Sequence, residues 1–237
     1  MWGKKEAHCT PEEVQYGDTW DHVAIDPTAK LVVSIEVGER TQEQTMALVK
    51  DAQSRLAPGC LPAIFTDAYE GYPRAILEAF GNRYPVPRQG ATGRRPKPRL
   101  RCPQGLVYAQ VKKHYLGKRV ERVEIRPIFG KGKLPAILGQ LGWKKVNTSA
   151  VERYNGTSRQ RDRRKARKTL AFSKEGRYHR WMSWLSTTMY NFCRSHRSLK
   201  QGRGSEVQHR SPAMAAGLTD HIWSVREWLL CPVLGRG

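Results

Sequence analysis

Asp67 and Glu152 carry the residue types that could do chemistry. Asp67 ends an apolar run, Pro62-Ala63-Ile64-Phe65-Thr66-Asp67, and Glu152 opens an arginine-loaded stretch, Ala150-Val151-Glu152-Arg153-Tyr154-Asn155. A buried strand delivering one carboxylate at its tip, and a helix delivering a second beside basic side chains, can cage a divalent cation next to a phosphodiester. Taken singly, each has a plainer reading. Asp67 also fits a turn or helix cap, and Glu152 fits the acid that the helix dipole favours in a first turn. Together they supply two hard-oxygen ligands for Mg²⁺ or Mn²⁺, and a third carboxylate is wanting. Asp21 and Asp26 are the nearest candidates for it.

The residues beyond Glu152 sharpen the reading. The expected helix continues through Arg153, Arg159, Arg161, Arg163, Arg164, Lys165, Arg167 and Lys168 with Asp162 as its one further acid. Asn155 and Arg159, three and seven residues on from Glu152, share its face. A block this dense repels itself unless a polyanion neutralises it, so Arg153, Asn155, Arg159, Arg163, Arg164, Arg167 and Lys168 are read as contacts to phosphates. The whole chain agrees: Lys+Arg 42 against Asp+Glu 21 gives a net charge of +21, with a pI near 10.2. The partner is expected to be nucleic acid.

Several chemistries are excluded. The five cysteines form no C-x-x-C pair, and the histidines form no H-E-x-x-H, so no zinc site or disulfide framework is written here. No Walker motif is present. No apolar stretch approaches the ~20 residues a bilayer span needs, and no signal-peptide core is visible. A cytoplasmic location on or near DNA, without a membrane, is the expectation.

These side chains need elements to position them. Residues 20–25 and 31–37 read as a hairpin around Asp26-Pro27. Thr41 caps an amphipathic helix that runs to Leu56 and stops at Pro58-Gly59. Residues 61–66 read as a central strand flanked by helices, and 72–80 as the following helix. Residues 84–101, rich in Pro, Gly, Arg and Lys, form a basic arm. A second hairpin is expected over 107–115 and 119–128, and a short helix over 134–141. Asn147-Thr148-Ser149 offers caps for the helix bearing Glu152, and residues 178–192 make another helix. Residues 200–210 read as a linker, before an apolar ending at 222–230.

These residues resemble a known family, the DDE transposases of the insertion-sequence-one type. The likeness covers nearly the whole chain. Its most specific part runs from Glu152-Arg153-Tyr154-Asn155 through Arg159 and Arg163 to Arg167-Lys168-Thr169-Leu170-Ala171-Phe172-Ser173-Lys174. This is similar to the family's E-R-x-N, spaced arginines and R-K-T-x-x-F-S-K. Gly38-Glu39-Arg40-Thr41 resembles its G-x-R-T turn, and Thr66-Asp67 its second catalytic aspartate. Tyr190-Asn191-Phe192, His196-Arg197-Ser198-Leu199 and the segment from Ser211 to Leu218 resemble transposase endings. The family's first aspartate stands in a D-E-x-W pattern, of which Met1-Trp2-Gly3-Lys4-Lys5 resembles the remainder after its Asp-Glu.

The resemblance implies an α/β fold with an RNase H-like core in residues 1–80 and 147–199. A basic insertion at 81–146 would separate the second and third acids, and residues 200–237 would form a linker and helical tail. It implies Asp67 and Glu152 as catalytic metal ligands for Mg²⁺ or Mn²⁺, with Arg159 and Arg163 holding phosphates. The expected activity is cleavage at insertion-sequence ends and strand transfer into target DNA, by a prokaryotic, nucleoid-associated homo-oligomer. With the first aspartate missing, the chain is expected to be truncated, binding DNA but transposing weakly or not at all. The alternatives are a non-catalytic DNA-binding remnant or regulator of a full-length transposase, and an RNase H-like nuclease of another role.

Overall fold

Asp26 closes a tight turn near the start of the described residues. In the computed structural model, which describes residues 19–87, 96–166, 170–171, 173, 175–202, 204 and 207–231, its Oδ1 accepts from the Thr28 amide at 2.7 Å. Its own amide donates to the Leu31 carbonyl at 2.8 Å. The flanking strands β1 (Trp20–Ile25) and β2 (Val32–Gly38) pair antiparallel, Trp20 opposite Gly38 and Ala24 opposite Ser34. The described residues fall into two units, Thr41–Ser149 being one, and those up to Arg40 with those from Ala150 onward the other.

In the unit that holds this hairpin, α4 (Ser149–Arg161) and α5 (Gly176–Phe192) supply the helices. Val32, Tyr154 and Tyr190 are its buried centre, with Val23 and Ile25 packed against them. Asn191 on α5 is buried because β2 needs it: its Oδ1 accepts from the Val32 amide at 3.0 Å and its Nδ2 donates to the Val32 carbonyl at 2.9 Å. Buried backbone polar groups must be paired, and here one side chain pairs both. The expected cationic rod is interrupted. Helix α4 ends at Arg161, and Asp162, in extended conformation, accepts from the Arg164 amide at 2.9 Å to start a separate 3-10 turn, Arg163–Lys165. An aspartate's preference for capping over helix interiors accounts for the break.

Within the stretch read as a linker, the described residues make backbone contacts. Gln201 and Gln208 exchange backbone hydrogen bonds, and the His196 amide donates to the Arg210 carbonyl at 2.9 Å. Ser211 then caps the short α6 (Pro212–Ala215), with Ser211, Pro212 and Ala213 fully buried. A capping box between Ser224 and Glu227 opens α7 (Val225–Leu230).

The second unit is built around a three-stranded sheet in the order β3 (Ala63–Asp67), β6 (Val107–Leu116), β7 (Arg119–Phe129). β3 runs parallel to β6 and β6 antiparallel to β7. The sequence placed β3 at the centre, but among the described residues it pairs only with β6 and is half-buried. The buried stretch of the sheet is the first half of β6, residues 107–111. Its Tyr108, with Leu106 just before the strand, faces α1 (Gln42–Ser54) and α2 (Gly71–Phe80), where Val49, Ala75, Ile76 and Phe80 complete one core. Its Val107, Ala109 and Val111 face the other way, onto Leu134 of α3 (Leu134–Gln140) and Val146. This is the period-two alternation of a strand covered on both faces. As expected, Thr41 caps α1, its Oγ1 accepting from the Gln44 amide.

Residues 81–146 therefore share one unit with α1, β3 and α2. The basic arm is closed at its base, where β4 (Asn82–Tyr84) pairs antiparallel with β5 (Arg99–Arg101). The arm's residues 88–95 lie outside the described residues. The architecture is α/β, with sheets flanked by helices. No helix among the described residues is long and apolar enough to cross a membrane.

Candidate metal and nucleic-acid site

Asp67 sits at the tip of β3, opposite Val111 of β6, and is exposed. The turn after it is held from several sides. Asp67 Oδ1 accepts from the Tyr69 amide at 3.2 Å, so part of the capping role foreseen for it is real. Gln110 of β6 donates to the Tyr69 carbonyl at 3.2 Å. Gly71 at the end of the turn leaves room for its neighbours, since a Cβ there would lie 2.7 Å from the Tyr69 ring and 2.9 Å from Gln42 Oε1 and would make those side chains shift. Beneath Asp67, Thr66 Oγ1 donates to the Asp67 carbonyl at 2.7 Å and meets Tyr108 Oη at 3.0 Å. With the threonine proton so committed, the phenol donates. Burial pushes that phenol up to about 12, and the nearby Asp67 charge adds to the rise.

Glu152 is set by the inward face of α4. Tyr154 is buried with its ring 5.0 Å from that of Tyr190, and its hydroxyl lies 2.7 Å from Thr187 Oγ1. The Thr187 proton goes to the Ser183 carbonyl, so Tyr154 donates. With Tyr154 and Ser158 inward, Glu152, Arg153 and Arg159 are exposed and Asn155 is half-buried. Arg163 and Arg164 are also exposed, though Arg164 is partly structural, its Nη1 donating to Ser173 Oγ at 3.1 Å. Arg167 and Lys168 lie outside the described residues. Glu152, Arg153, Asn155 and Arg159 are thus brought onto one helix, whereas Asp67 belongs to the other unit.

The positive field around α4 extends beyond the residues the sequence singled out. Burial, then the charges of Lys30, Arg153 and Arg161, push the His196 imidazole down. Burial and the neighbouring Arg194 likewise push the Arg161 guanidinium down. Cations gathered from residues 30, 153, 161 and 194 repel one another, and phosphate relieves that repulsion. Sequence spacing hid this group, since its members come from three separate segments, the β1–β2 turn, α4 and the stretch after α5.

Asp21 is the other feature that spacing hid. It lies on β1, and its Oδ2 is 2.6 Å from Lys165 Nζ, a side chain only 5% exposed. Lys165 also donates to Ser158 Oγ at 3.1 Å. Asp21 Oδ1 meets His179 Nε2 and Ser183 Oγ, each at 3.2 Å, from successive turns of α5. Burial by itself pushes the Asp21 carboxyl up, but the His179 hydrogen bond and the Lys165 charge and hydrogen bond outweigh it, holding the group at about 2. The carboxylate is neutralised by its own lysine and joins β1, the 3-10 turn and α5. Asp26 is committed to its turn. Neither stands as the third ligand in this arrangement.

The carboxylate oxygens of Asp67 and Glu152 suit a hard cation. Among the described residues, no three His, Cys, Asp or Glu side chains form a group that could hold a metal ion. No family model, curated protein or solved structure matches the chain.

Proposed function

We propose that this chain is a DNA-binding protein on the plan of the DDE transposases, with an RNase H-like core and an incomplete set of metal-binding carboxylates. The observation that carries the reading is the surface of α4, where Glu152 lies exposed with Arg153 and Arg159 on the same helix. The element order strand, strand, helix, strand, helix, strand, with β3 and β6 parallel, supports the fold assignment. The net charge of +21 supports a polyanionic partner.

In this reading Asp67 and Glu152 would each offer carboxylate oxygen to Mg²⁺ or Mn²⁺, and Arg153, Asn155, Arg159, Arg163, Arg164, Arg167 and Lys168 grip the DNA backbone. Such ions, when bound, activate the attacking oxygen and stabilise the leaving one. The chain's own contribution is to position phosphates and to present carboxylates at an exposed strand tip and helix face. Cleavage at insertion-sequence ends, transfer into target DNA, self-association and action at the nucleoid complete the proposal.

A second reading, a DNA-binding regulator without catalysis, is favoured by the engagement of Asp21 with Lys165. Both readings require backbone-dominated binding. Duplex affinity measured by fluorescence anisotropy from 50 to 300 mM salt is expected to fall steeply, with a log-log slope losing about 0.9 for each cation removed. The triple change Arg153→Ala, Arg159→Ala, Arg163→Ala then flattens the slope by about 2.7. An unchanged slope in the triple variant overturns the assignment of α4 and the following turn to DNA.

A further inference from the structure

We propose that the outward face of α5 is a stacking platform for unpaired nucleobases on a single strand of nucleic acid. Tyr178, Trp181 and Trp184 follow one another at three-residue intervals and stay 41%, 53% and 47% exposed. Intervals of three keep side chains on neighbouring positions of one helix face, about 4.5 Å apart along the axis. The opposite face, Ser183, Thr187, Tyr190 and Asn191, is the buried one. The aromatic row is therefore what the helix turns to solvent.

Large aromatics left this exposed call for a partner, and the charge around them selects its chemistry. Helix α5 contains no acidic residue from Gly176 to Phe192, and it carries Arg177 and Arg180. Arg177 is paired with Glu175 at 2.5 Å while its guanidinium lies 5.1 Å from the Tyr178 ring centre, and Arg180 is exposed. Tyr178 and Trp181 meet edge to face at 5.5 Å, which leaves ring faces available. Aromatic faces interleaved with cations bind bases by stacking and phosphates by charge, without sequence preference. A duplex hides its base faces, so this surface discriminates unpaired from paired strands. An apolar protein partner would not use the flanking arginines.

The inference needs no carboxylate or metal, so its failure and the failure of the strand-cleavage reading are separate results. The test measures affinity for a 20-nucleotide oligo(dT), the matching oligo(rU) and a 20-base-pair duplex, using the full chain. For Trp181→Ala with Trp184→Ala, single-strand affinity is expected to fall at least about tenfold, with duplex affinity unchanged within about twofold. The pair Trp181→Phe with Trp184→Phe retains stacking faces and is expected to stay within about threefold of the parent. A loss confined to the DNA or the RNA oligomer names the natural strand. Unchanged oligo(dT) and oligo(rU) affinity, or an equal loss on duplex, overturns the proposal. So does a shift from oligomer to monomer in sedimentation with single-strand binding intact, which gives the face to a second copy of the chain.

Discussion

Replacing Asp21 by Asn removes the charge from the buried carboxylate while keeping its shape. The Asp21 carboxyl is held at about 2 against an ordinary 3.8. At 1.36 kcal/mol per unit, that difference is worth about 2.5 kcal/mol of folding stability. Because the folded value is the lower one, the contribution is fully present above pH 3.8. It is lost as pH falls from there through 2. Urea unfolding of parent and Asp21→Asn at pH 7, 5, 3 and 2.5 should show a gap of about 2.5 kcal/mol at pH 7 that narrows only in the two acid samples. Lys165→Met tests the same pair from the other side. It strands a carboxylate that is 18% exposed and is expected to cost about 3–5 kcal/mol at pH 7. A gap below about 0.5 kcal/mol at pH 7, or one that does not change between pH 7 and 2.5, refutes the clamp.

Two further changes test packing inside each unit. Asn191→Ala leaves the buried Val32 amide and carbonyl without their partner and is expected to lower stability by about 1–3 kcal/mol, read from the urea midpoint. Gly130→Ala is expected to lower the melting temperature, since Gly130 has φ 65° and an added Cβ would lie 2.6 Å from the Leu106 carbonyl. The left-handed conformation alone costs a non-glycine residue about 1–2 kcal/mol.

The elements were legible where local chemistry decides them. Asp26-Pro27 marked the β1–β2 hairpin and Thr41 the start of α1, and the hairpin expected over 107–115 and 119–128 is β6 with β7. The order of strands was not legible, because Ala63–Asp67 and Val107–Val111 are both short apolar runs and periodicity does not say which lies inside. The break in the basic run was legible in principle: Asp162 is a capping residue set among arginines. The backbone pairing of Gln201 with Gln208 was not legible, because it depends on no side-chain pattern. Of the candidate site residues, Asp67 and Glu152 were singled out from their local settings, a strand tip and the first turn of a helix. The Asp21 clamp was not, since its partners Lys165, His179 and Ser183 stand more than a hundred residues later and only the fold assembles them.

The central proposal is that the chain binds DNA without cutting it, since among the described residues no three His, Cys, Asp or Glu side chains form a group that could hold a metal ion. Its most direct test incubates the full chain with Mg²⁺ or Mn²⁺ and end-labelled DNA taken from the flanks of its own coding sequence, beside Asp67→Ala and Glu152→Ala, with binding and strand breaks read on paired gels. The predicted result is retarded DNA with no strand breakage above that of Asp67→Ala. Metal-dependent breakage that disappears in Asp67→Ala and in Glu152→Ala would contradict the claim, by requiring that another carboxylate of this chain completes the site.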